Sequence, residues 1–161
     1  DRYTIMKWRN EQIYHLRQVE PLTEEKQDWY FENMVSNLFD QEQPDQILFS
    51  FLKEEECIGY GGLVHINWTH NNSEISFLME TEREKKHFSY LWSIYLSLIE
   101  QVAFRQLGLY KIFTYAVDLR PVLYPILIAA GYEKEAVLKQ QVYFNDSYVD
   151  VVVHRKFNSN V

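Results

Sequence analysis

The chain has 161 residues, 47% of them hydrophobic, which is enough for a single domain (1–161) with its own core. Its net charge of -7 argues against nucleic acid as a partner, and its one cysteine, Cys57, excludes an intrachain disulfide or a thiolate metal cluster. No apolar run is long enough to span a bilayer and no signal-peptide pattern is present, so the expectation is no membrane partner and a cytoplasmic setting.

In chain order, residues 2–6 read as the end of a first strand. Residues 7–10 then lead into a short helical segment through about Gln18, with Ile13, Leu16 and Val19 as its apolar positions, and Pro21 ends it. Thr23 is a good N-cap, with Glu24 and Glu25 favourably placed in the first helical turn. The helix that follows carries an amphipathic stripe of Trp29, Tyr30, Met34, Val35 and Leu38. Residues 47–53 and 57–67 read as two strands joined by an acidic turn, 54–56. Gly59, Gly61 and Gly62 in the second strand mark a bulge or a close backbone approach, and Cys57 reads as a buried thiol.

After a polar turn at 69–73, a third strand starts at Glu74, with Ile75, Phe77 and Met79 on one face. A charged connection follows, and then a helix from about Ser89 that is apolar nearly all round and ends near Gly108. Such a helix is buried on several sides, here by a sheet and either other elements or a second copy, so a homodimer is among the expectations. Residues 111–117 make the next strand, which gives a strand–helix–strand crossover with parallel strands. A short helix at 122–130, closed by Gly131, precedes a hairpin of 137–144 and 148–154. The fold class is therefore α/β (α+β): a mixed, mostly antiparallel twisted sheet with one parallel crossover and helices on both faces.

The strand–loop–helix around residues 74–103 puts the first amides of a helix beyond a strand end, a common phosphate site. Arg83, Lys85 and Lys86 would add cations there, although such a run is also an ordinary solvated loop.

This order of elements resembles the GNAT superfamily of N-acetyltransferases, over essentially the whole chain. Three places carry the resemblance. Trp8-Arg9-Asn10 is similar to the segment that begins the first helix in the branch containing ribosomal-protein N-terminal and amino-sugar N-acetyltransferases. Residues 75–79 with the 83–89 segment look like the acetyl-CoA motif, and residues 109–117 with 120–132 look like the next strand and helix. The resemblance implies acetyl-CoA as co-substrate and no metal. It implies cofactor contacts from Phe77, Leu78, Met79, Arg83, Glu84, Lys85, Lys86, His87, Phe88, Ser89 and Arg120, and acceptor contacts from Trp8, Arg9 and Asn10. The implied reaction is direct acetyl transfer to a primary amine of a small molecule, a nucleotide-linked amino sugar being one such acceptor. The alternatives are a protein N-terminal or antibiotic acetyltransferase, or a non-catalytic acyl-CoA-binding module. Four positions depart from the pattern, one of them Arg120, which stands where an asparagine precedes the last helix. His87 and Ser89 stand where the pyrophosphate loop has small residues, and Leu127 stands where a tyrosine often protonates the thiolate.

Amide formation from a thioester needs an unprotonated amine, a polarised carbonyl and a proton for the leaving thiolate. Backbone amides near Met79 suit the second role. His65 and Glu74, flanking the hairpin turn, are the candidate general bases. An imidazole titrates near neutrality, whereas a carboxylate needs a raised proton affinity or a water relay. Tyr124, one turn before Leu127, is the candidate acid. Each has a plainer reading: His65 as a surface residue, Glu74 as a solvated turn residue, Tyr124 as packing, and Trp8 as a docked indole. The five histidines show no metal-ligand spacing, so no metal site is expected.

Overall fold

A computed structural model describes residues 1–159. Its helices are α1 (Arg2–Glu11), α2 (Glu24–Tyr30), α3 (Ser36–Leu38), α4 (Thr81–Glu100) and α5 (Leu123–Ala129). The strands are β1 (Ile47–Lys53), β2 (Glu56–Asn67), β3 (Asn72–Met79), β4 (Lys111–Val117), β5 (Glu133–Phe144) and β6 (Ser147–Phe157). They form one sheet in the order β1-β2-β3-β4-β6-β5. All neighbours are antiparallel except β3 and β4, which α4 connects in parallel as the sequence pattern requires. A π-helical turn (Gln101–Gln106) extends α4, and Gly108, at φ 65°, ends it.

Side chains alternate across β3, so its two faces enter different layers. Phe77 and Met79 join Trp92, Tyr95, Leu96 and Ile99 of α4 and Leu123 and Leu127 of α5 in the main core. Phe77 and Tyr95 are stacked with centroids 3.8 Å apart. Burying each such side chain contributes roughly 1.5–3 kcal/mol. On the opposite face, Leu78 packs against Ile5 and Trp8 of α1. The Tyr95 hydroxyl donates to the Ser76 carbonyl at 2.7 Å. That contact requires Gly61, where a Cβ would come within 2.2 Å of the Ser76 oxygen and 2.7 Å of the Tyr95 hydroxyl. The glycines of β2 thus mark a close approach of backbones.

Several expectations are corrected. Residues 2–6 open α1 rather than a strand, because Ile5 and Trp8, one turn apart, dock on Leu78. The helical segment stops at Glu11, is followed by a 3-10 turn (Ile13–His15), and is extended at Leu16. The stripe after Thr23 is not a buried face: Gln27 is the buried residue of α2, while Trp29 is 60% exposed and Met34 44%. Finally, the charged connection after β3 is helical from Thr81 and broken only at His87 (φ -133°, ψ 20°). Pairs at i,i+3 and i,i+4 support that turn: Glu82 with Lys85 and Lys86, and Glu80 with Arg83.

Thr23 caps α2 as expected, accepting from the Lys26 amide at 3.3 Å. Cys57 is half-buried rather than buried. The helix expected to face a second copy buries Leu91, Trp92, Tyr95, Leu96 and Ile99 within its own chain, leaving Tyr90 and Leu98 exposed. Among the described residues no helix is long and apolar enough to cross a membrane.

Candidate active site

The parallel pair is short. β3 and β4 are in register only over Asn72–Glu74 and Lys111–Phe113. Beyond Glu74 the two strands part, while β3 stays paired with β2 and β4 with β6. The parting opens a cleft of about 290 Å³, walled by Ile75–Phe77 on one side and Thr114–Val117 on the other. A strand edge without a partner leaves peptide groups free to bind an extended ligand.

Glu74 stands where the strands begin to part. It is 7% exposed, which corrects the expectation of a solvated turn residue. Its carboxylate is ion-paired with Arg17, and its Oε2 lies 3.9 Å from Nε2 of His65. Arg17 is fixed in turn over the Tyr115 ring, 4.1 Å from its centroid. A bulge between Val64 and Asn67 brings His65 over Glu74, and His65 takes a left-handed backbone, φ 52°. Non-glycine residues rarely adopt that conformation, and it concentrates at functional sites. The two candidate bases therefore meet at one cleft, His65 exposed and Glu74 buried.

Tyr124 does not line this cleft. Its hydroxyl donates to Asp118 Oδ1 at 2.7 Å and its ring stacks on His154, 5.1 Å between centroids. Burial first, then the bond to Asp118, raises its pKa above the ordinary phenol range. Leu127 is fully buried in the core. Thr114 does reach the cleft: it is 3% exposed, and its hydroxyl lacks a partner among the described residues.

The residues expected at the cofactor divide. Phe77 lines the cleft, Leu78 turns to the α1 face, and Met79 is core, its carbonyl accepting from Gln12 Nε2 at 2.8 Å. Beyond the cleft lies an outer groove of about 850 Å³, lined by Trp8, Gln12, Glu84, Lys85, Phe88 and Arg120 among others. Arg120 lines both spaces, pairs with Glu84 at 2.7 Å and lies over Phe88, 5.5 Å from its centroid. The remaining cations hold carboxylates: Arg83 with Glu56 at 2.9 Å, Lys85 with Glu82 at 2.7 Å and Lys86 with Glu82 at 3.6 Å. His87 and Ser89 are exposed on α4. Among the described residues no side chain caps the first turn of α4, a start that suits an anion. Free strand edges, an unpartnered hydroxyl and an uncapped helix start suit a pantetheine arm ending in a pyrophosphate.

Trp8 is a docked indole, 4% exposed. Asn10 serves the chain: its Nδ2 donates to the Leu22 carbonyl at 2.9 Å, and its Oδ1 accepts from the Leu22 amide at 2.7 Å. Arg9 lines the cleft.

Sequence reasoning missed Gln12, His15, Arg17, Thr114 and Tyr115. His15 is buried in the cleft wall, with Nε2 3.3 Å from Gln12 Oε1. Because Gln12 donates to Met79 and Thr81, its Oε1 accepts, which assigns the proton to His15 Nε2. Burial, with Arg120 nearby, pushes the His15 pKa down to about 3, so the ring is neutral. The sequence signal was slight: His15 and Thr114 are polar between apolar or aromatic neighbours, and Gln12, Arg17 and Tyr115 carry no such mark. Among the described residues no group of three or more His, Cys, Asp or Glu could hold a metal ion.

Residues 1–153 match the acetyltransferase (GNAT) domain family. No curated protein is similar enough in sequence to match. Among solved structures, the spermidine N-acetyltransferase from Vibrio cholerae in complex with CoA and spermine is similar with a TM-score of 0.84 and 18% identity. The similarity covers 99% of this chain and 90% of that one. The dodecameric structure of spermidine N-acetyltransferase from Vibrio cholerae in an intermediate state is similar with a TM-score of 0.78 and 20% identity, over 99% and 90% of the two chains. Family match, sheet order and parted strands agree: the chain belongs to the GNAT acetyltransferases, which transfer an acetyl group from acetyl-CoA to an amine.

Proposed function

We propose that residues 1–161 form one catalytic domain, acting in the cytoplasm on a small molecule with a primary amine, and that the acceptor is an amino sugar linked to a nucleotide. The observation that carries this reading is the buried Glu74 at the point where β3 and β4 part, set between Arg17 and His65.

In this reading the thioester lies between the strands and the amine enters from the α1 side. Arg17 orients the Glu74 carboxylate, which takes a proton from the amine as its nitrogen bonds to the acyl carbon. His65, at the exposed end, passes that proton to solvent. The carbon–sulfur bond breaks, and the thiolate departs along the cleft wall that carries Thr114, taking its proton from solvent.

The similar solved structures are of enzymes named for spermidine, a polycation. Of the arginines lining this cleft, Arg17 is paired with Glu74 and Arg120 with Glu84, so Arg9 is the cation left over, which suits an anionic acceptor better than a polycation. Self-association is also proposed, with Tyr90 and Leu98 as the apolar residues that α4 leaves for it.

Thermal unfolding with increasing acetyl-CoA is the first test. At about 100 times its dissociation constant the ligand should stabilise the protein by about 2.7 kcal/mol. Thiol release from acetyl-CoA with an added amino sugar nucleotide should then exceed that with spermidine. An absence of stabilisation at millimolar acetyl-CoA overturns the catalytic reading in favour of a non-catalytic module. Preference for spermidine overturns the acceptor class alone.

A further inference from the structure

Arg2, Arg17, Arg83, Arg120 and Arg155 each hold a carboxylate. Arg9 is half-buried and, among the described residues, holds none: its Nε donates to the neutral Gln18 Oε1 at 3.0 Å, and it lines one cavity with the phenols of Tyr30 and Tyr60. In a chain with 23 acidic residues, a partly desolvated guanidinium without an acid is expensive unless an anion completes it.

Two cavities share this arginine. One is the cleft with Glu74. The other, of about 290 Å³, lies between α1, α2 and β2, with Ile5, Leu22, Trp29, Tyr30, Phe31 and Tyr60 in its wall. Trp29, which the sequence pattern would bury, instead stands 60% exposed in that wall. Aromatic walls bind a planar ring by stacking, and a cation at the inner end binds an anion attached to that ring.

We infer that the aromatic cavity holds the base of a nucleoside diphosphate, with its phosphates on Arg9 and the attached amine carried into the cleft toward Glu74. The inference rests on the acetyl-transfer reading of the cleft and adds a place and a chemistry for the rest of the acceptor. A diphosphate joins a planar ring to a neutral sugar through an anion, the sequence of properties that aromatic cavity, Arg9 and cleft present in order. A polyamine offers neither ring nor anion.

The test is calorimetric titration of the full chain, saturated with CoA so that its own nucleotide site is filled. UDP, dTDP, CDP and GDP are the probes, with uridine, pyrophosphate and spermidine as controls. At least one diphosphate should bind, tenfold or more tighter than uridine or pyrophosphate, while spermidine does not bind. Arg9→Gln should weaken that diphosphate tenfold or more and leave CoA affinity unchanged. Trp29→Ala, at an exposed position that folding tolerates, should weaken the diphosphate several-fold and leave pyrophosphate unaffected. Should no diphosphate bind to the CoA-saturated protein, or should both variants bind it like the parent, the subsite is wrong while acetyl transfer stands. Failure of CoA itself to bind removes the underlying reading, and the inference with it.

Discussion

Glu74 Oε2 and His65 Nε2 lie 3.9 Å apart across the β2–β3 hairpin, one buried and one in solvent. The bulge after Val64 makes this meeting, since a regular ladder would continue the alternation of faces past it. In the proposed mechanism a proton leaving the cleft would have Glu74 as acceptor inside and His65 as carrier at the surface. Glu74→Gln is expected to lower kcat for acetyl transfer by about 10²-fold or more, with acetyl-CoA affinity unchanged. His65→Gln should cost less, because water can replace an exposed carrier. Steady-state thiol release and calorimetry measure the two effects, and parental turnover in Glu74→Gln would exclude the base assignment.

Arg120 and Glu84 hold each other at 2.7 Å where the cleft meets the outer groove, with side chains 17% and 11% exposed. Phosphate oxygens would compete with Glu84 for that guanidinium. Glu84→Gln is therefore expected to tighten acetyl-CoA binding several-fold, and Arg120→Gln to weaken it. Calorimetry at low and high salt checks both. Weaker binding in Glu84→Gln would mean that the ion pair shapes the site rather than competing with the ligand.

His15 provides a pH prediction. Its pKa falls from 6.5 in the unfolded chain to about 3 in the fold. Below 6.5 the unfolded state binds a proton that the folded state refuses, so stability falls as pH drops from about 6.5 toward 3 and is unaffected above that window. The full loss is a few kcal/mol. Urea unfolding of the parent and of His15→Gln between pH 7 and 4 should show a shallower pH dependence in the variant. Parallel curves would mean that His15 reaches solvent in the folded state.

The buried hydroxyl of Thr114 in the cleft wall has no partner among the described residues. An unsatisfied buried group is costly, so Thr114→Val is expected to stabilise the ligand-free protein by about 1 kcal/mol. If the hydroxyl faces the thioester sulfur, the same change lowers kcat and leaves acetyl-CoA affinity nearly intact. Urea midpoints and turnover, taken together, separate an idle hydroxyl from a working one.

What was legible in the sequence was local or periodic. Thr23 announced a helix start and Gly131 a helix end; the glycines of β2 announced a close backbone approach; alternation from Glu74 onward gave β3 and the crossover to β4. The misreadings have physical causes. Ile5 and Trp8 suit a helix face as well as a strand, and the docking surface, Leu78, lies far along the chain. Residues 81–86 resembled a loop by charge, yet their acids and bases are spaced to pair on a helix.

By itself, then, the sequence determined the order of elements after α1, the parallel crossover and the family resemblance, because caps, turns and hydrophobic period act over a few neighbouring residues. Only the tertiary structure decided that Glu74 is buried against Arg17, that Arg120 answers Glu84, that Tyr124 turns to Asp118 and that Arg9 meets Gln18 with no acid among the described residues. Those pairings join residues from different elements, and a side chain's charge does not reveal its partner until the backbone has brought the two together.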